Sequence, residues 1–215
     1  AIIGVVAAMS VSTFTQLSAQ NATQSAASDI YSLLQSARSR SEQRGSDIYV
    51  VVFPGFNKAT SATTGGRGAL FVYEDADGDF LTGTGSCNGT DECSWTNFTP
   101  PNDIRSAPTQ RDRLLSTIFL EDYPKANVRF GMDATKDWAF PFNSIGNDAD
   151  ATGCSFCSGD RGAVLFTDGQ ALLLDNTGAP LARRVGGMAL QGVTNPTNHF
   201  LIGFVRATGL VTSVR

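Results

Sequence analysis

The chain has a single histidine, His199, among 215 residues, and that scarcity removes most of the familiar routes to catalysis. One imidazole at the start of an apolar run reads as a surface residue rather than a general base. No Ser/His/Asp set, HExxH motif, glycine-rich phosphate loop after a strand or glycosidase-like carboxylate pair can be assembled by spacing. The reading is therefore non-enzymatic, with no cofactor and no metal centre. Charge is also sparse, at 17% of residues, and its balance is −4 with a pI near 4.9. That argues against a generic nucleic-acid binder, which needs a basic surface. Proline and glycine are missing from Val5 to Arg44, and no charge precedes Asp29. Nothing in that stretch breaks a helix. An apolar run of bilayer-spanning length, about 20 residues, is missing too. Ala1 to Val11 (AIIGVVAAMSV) is too short, and it lacks the basic n-region and small-residue cleavage site of a removable signal.

What residues 1–45 do contain is a helical pattern. Ala19, Ala22, Ala26, Ile30, Leu33 and Ala37 recur at steps of three and four, and Leu34 widens the stripe. Arg38, Arg40 and Arg44 gather near the end, facing the negative pole of the helix, and Gly45 follows where a C-terminus favours positive φ. One helix from the apolar start to Arg44 would be roughly 65 Å long. Its front half, carrying Ile2, Ile3, Val5, Val6, Met9, Val11 and Phe14, must pack against something outside this domain. Its rear half is expected to be gripped by a head, mainly from Ile30 through Leu33 and Leu34 to Ala37.

The remainder reads as β-structure. Ser46 to Phe53, Gly68 to Tyr73, Leu114 to Leu120 and Ala126 to Phe130 are rich in β-branched and aromatic residues. Gly162 to Phe166 and Ala171 to Leu174 flank Asp168-Gly169, the strongest hairpin signal in the chain. Pro180 to Val185, Met188 to Val193, His199 to Arg206 and Leu210 to Val214 are expected to complete the sheet. Asn57 to Arg67 looks too polar and glycine-rich to hold packed structure. Leu81 to Arg111 and Met132 to Gly153 are long irregular excursions, with Trp138, Phe140 and Phe142 expected to tuck the second onto the sheet. The acids Glu74, Asp75, Asp77 and Asp79 read as a solvated hairpin end. A calcium loop is the competing reading, but Gly78 and Ser86 sit wrongly for an EF-hand.

The four cysteines form two close pairs, Cys87 with Cys93 and Cys154 with Cys157. The first spacing does not suit a zinc knuckle, and Ser158-Gly159-Asp160 after the second does not open a redox-active helix. Structural disulfides in an oxidising compartment are the better reading. Pairing within each loop is the simplest connectivity, and stapling of one loop to the other stays open.

AIIGVVAAMS with its polar helical continuation resembles the N-terminus of type IV pilins and their secretion-system relatives. SLLQSARSRSEQRGSDIYVVV (Ser32 to Val52) is similar to the FimT/GspH branch of minor pilins and pseudopilins, where a helix runs straight into the first strand. GALFVYEDADGD (Gly68 to Asp79) and FLIGFVRATGLVTSVR (Phe200 to Arg215) are similar to that branch's acidic turn and closing hairpin. The resemblance implies an α+β fold, with a long N-terminal helix (1–45, anchor and assembly) packed on an antiparallel β-sheet head (46–215). It also implies that about ten apolar residues precede Ala1, completing a membrane span. The function it implies is a structural subunit of a type IV pilus or type II secretion-like filament. Such a subunit waits in the bacterial inner membrane and periplasm, then joins an extracellular filament whose partners are other pilin subunits. The alternative is a membrane-anchored extracytoplasmic binding protein, such as a DNA-uptake or adhesion tip pilin. Arg105, Arg111, Arg113, Arg183, Arg184, Arg206 and Arg215 could meet phosphates, but Asp91, Glu92, Asp148 and Asp150 add to the acidic turn against them. Leu210 also stands where the branch carries an arginine. Weak or no DNA binding is expected.

Overall fold

The computed structural model describes residues 2–85, 93–98, 112–124, 127–132, 153–196, 198–208 and 210–214. Side chains are described from residue 20 onward, apart from those of 207, 210, 213 and 214. Helix α1 runs from Ile2 to Arg44 and ends at Gly45, whose φ of +66° closes it through a Gly45 N–H to Ser41 C=O bond of 2.9 Å.

Nine strands follow among the described residues: β1 (Asp47–Phe53), β2 (Ala69–Asp75), β3 (Arg113–Phe119), β4 (Val128–Phe130), β5 (Gly162–Thr167), β6 (Gln170–Leu174), β7 (Val185–Gly192), β8 (His199–Val205) and β9 (Leu210–Val214). They make two antiparallel sheets, ordered β3-β2-β1-β5-β6 and β4-β7-β8-β9. The expected fold class, a long helix on one antiparallel sheet head in the pilin manner, is corrected by this arrangement. Among the described residues the strands are antiparallel and divided between two sheets, and α1 lies against both rather than on a single head.

The chain leaves the first sheet after β6. Residues after β6 fold back along its outer edge, with Leu174 bridging Pro180 and Leu181 N–H donating to Leu173 C=O at 2.8 Å. The bonds flanking that bridge are Asp175 N–H to Ala179 C=O and Leu181 N–H to Leu173 C=O, after which the chain departs to begin β7 in the second sheet. The strand expected over Pro180 to Val185 is therefore a single bridge, and β7 starts at Val185.

The neighbouring strands β1 and β2 are buried on both faces, which is why DIYVVVF has no polar alternation. Ile48, Val50 and Val52 face a core that also holds the α1 side chains and Met188, Leu190, Ile202 and Phe204 of sheet two. Tyr49, Val51 and Phe53 face a second cluster with Phe71, Phe80, Trp95 and Phe98. Arg161 roofs that cluster, lying 5.1 Å from the Trp95 ring and donating to Phe98 C=O at 3.0 Å. Helix α1 touches β1 and β5 on one side and β4, β7, β8 and β9 on the other, so it lies against both sheets.

Two loop expectations change. Residues 57–67 are compact rather than loose: Asn57 bridges Ala62, and Gly66 N–H donates to Gly55 C=O at 2.7 Å. Asn57 Oδ1 caps the turn by accepting from the N–H groups of Ala59 and Thr60. Trp138, Phe140 and Phe142 lie outside the described residues.

Candidate functional site: the junction of helix and head

The α1 face turned to the head is made of small residues first and larger ones later. Ala22, Thr23, Ala26, Ala27, Ile30, Leu34, Ala37 and Ser41 are all buried. Among the described side chains burial already starts at Ala22, two turns before Ile30, because alanine lets the helix backbone approach closely where a leucine would hold it off. Ile30, Leu34 and Ala37 sit in the shared core. Leu33 is half-buried at the rim, beside Val72 and Leu115 in a groove between α1 and β3. Ser41 Oγ donates to Phe166 C=O at 2.9 Å and ties the last turn to β5. The backbone of Ile2, Ile3, Val5, Val6, Met9, Val11 and Phe14 is helical, and their side chains lie outside the described residues. No helix is long and apolar enough, among the described residues, to cross a membrane.

Where the helix ends, one carboxylate gathers three guanidiniums. Glu74 on β2 accepts from Arg40 at 2.8 Å, Arg44 at 3.4 Å and Ser46 Oγ at 3.2 Å. Arg113 of β3 stands 3.2 Å away, and the Glu74 side chain is only 3% exposed. Burial alone would raise its pKa, but the hydrogen bond and charge of Arg40, with Ser46 and Arg44, bring it below the usual carboxylate value. Of the three arginines near the helix end, Arg40 and Arg44 thus tie α1 to Glu74 of β2, and Arg38 pairs with Glu42 on the helix itself. The reading of the acids as a solvated turn is corrected for Glu74 and Asp75, which are 2% and 1% exposed, while Asp77 is exposed.

Just beyond Glu74 the acids converge in earnest. Asp75 accepts the N–H groups of Gly78, Asp79 and Phe80 at 2.7, 3.3 and 3.1 Å, which folds the turn. Asp112, ahead of β3, accepts Ala76 N–H at 2.7 Å and the Tyr73 hydroxyl at 3.2 Å. Oxygens of Asp75, Asp77, Asp79 and Asp112 lie within 4.8 Å of one another, the one described group whose ligand atoms could converge on a cation. Burial lifts Asp112 to about 6; the Ala76 N–H and Tyr73 hydroxyl oppose the rise, and repulsion from Asp75 and Asp77 adds to it. Sequence spacing offered no signal for Asp112, which joins the turn through tertiary pairing of β2 with β3.

Cys154 and Cys157 form a disulfide, with Cα atoms 5.3 Å apart. Its loop is seated on sheet two: Ser155 N–H donates to Gly187 C=O at 2.9 Å and Gly187 N–H returns the bond to Ser155 Oγ at 2.9 Å. Gly153, at φ +66°, fits only because no Cβ is present to strike Gly131 and Ala189. Cys93 is also disulfide-bonded, its N–H donating to Tyr73 Oη at 3.1 Å, while Cys87 lies outside the described residues.

His199, expected at the surface, is 9% exposed on β8, opposite Gln191. Among the arginines considered for phosphate, Arg113 faces Glu74, Arg183 donates to Ser155 C=O at 3.5 Å and Arg206 donates to Leu181 C=O at 3.3 Å. Arg105, Arg111 and Arg215, with Asp91, Glu92, Asp148 and Asp150, lie outside the described residues. Compared with known proteins, the chain matches no family model, no curated protein and no solved structure.

Proposed function

We propose that this chain is a structural, non-enzymatic subunit of a bacterial helical filament of the type IV pilus or type II secretion kind, joined to its neighbours through the front of α1. The observation that carries the reading is the division of labour along one helix. From Ala22 to Ser41 one face of the helix is buried against the two sheets. From Ile2 to Phe14 the sequence is mostly apolar, broken by Ser10, Ser12 and Thr13 and without a single charge, on the same unbroken helix. Seven side chains there, Ile2, Ile3, Val5, Val6, Met9, Val11 and Phe14, are worth about 2 kcal/mol each when fully buried. That sum is a sufficient drive for a bundle of such helices, and the same surface suits a lipid environment before assembly. The disulfide Cys154–Cys157 supports an oxidising destination, periplasm and then cell exterior. Neighbouring subunits are the partners in this reading, with DNA binding weak or absent.

The test is the coding sequence upstream of Ala1. A short basic leader ending in glycine, then an aromatic residue and a nearby glutamate opening an apolar stretch, is the expected result. A long cleavable signal peptide or a further folded domain there would remove the filament reading.

A further inference from the structure

No further inference is drawn: the strongest candidate, the carboxylate cluster of Asp75, Asp77, Asp79 and Asp112 where β2 turns and β3 begins, has its two buried members already bonded to protein donors, and nothing beyond the cluster itself points to a ligand.

Discussion

Arg40 of α1 and Glu74 of β2 meet at 2.8 Å, with the carboxylate almost fully enclosed and the guanidinium at its rim. The pair joins the end of the helix to the edge region of sheet one, and Arg44 and Arg113 complete a ring of positive charge around one acid. Removing Glu74 leaves three cations facing one another. Glu74→Gln should lower stability by about 2 kcal/mol at neutral pH, the scale of a lost charged hydrogen bond. Because the folded pKa lies below the unfolded one, this contribution is present above the ordinary carboxylate pKa and lost as pH falls through the folded value. Urea unfolding of both proteins at pH 7 and pH 3 checks it: the difference should be clear at the first and smaller at the second.

Asp112 should act in the opposite sense. Its folded pKa of about 6 lies above the unfolded value, so ionisation costs stability at neutral pH. Lowering the pH from 7 to 5 should therefore stabilise the chain by about 1–2 kcal/mol, before the loss at Glu74 begins. Asp112→Asn should abolish that rise. A carboxyl carbon titration placing Asp112 near 4 would contradict the account of its burial.

The face of α1 can be read by truncation. Leu34 is fully enclosed and Leu33 is not, so Leu34→Ala should cost about 3 kcal/mol and Leu33→Ala about 1 kcal/mol. Equal losses in denaturant melts would mean that the helix presents a different stripe to the sheets.

The disulfide loop closes only a short ring, with a sequence separation of 3. By loop-closure entropy alone, replacing Cys154 and Cys157 with alanine should cost roughly 2 kcal/mol. A non-reduced digest should yield one peptide carrying Cys154 joined to Cys157. Free thiols at both positions would overturn the assignment.

The local features were legible in the sequence. Asp168-Gly169 turns the β5–β6 hairpin with φ of +47° and +74°, the pattern a two-residue turn demands. Gly45 ends α1, and the unalternating run of β1 is buried on both faces. What escaped was set by distant pairing. Nothing near Val128 announces that β4 will pair with β7, and so nothing announces a second sheet. Glu74 looks like turn acidity until β2 is laid beside the end of α1, and Asp112 joins Asp75 only once β3 is paired with β2. Leu33 and Leu34 are adjacent letters in the apolar stripe, and only the helix rotation against two sheets separates rim from core.

The proposal is that the front of α1 drives assembly while its rear packs against the two sheets. Electron microscopy of the chain after detergent removal, beside its Val6→Asp variant, tests this most directly. Because the proposal assigns Val6 to contacts with neighbouring subunits, a charge there should leave the melting temperature of the sheets and the rear of α1 unchanged. The account predicts helical filaments from the parent chain and dispersed single particles from Val6→Asp. Filaments from both, or a variant that fails to assemble only because its head has unfolded, would contradict it.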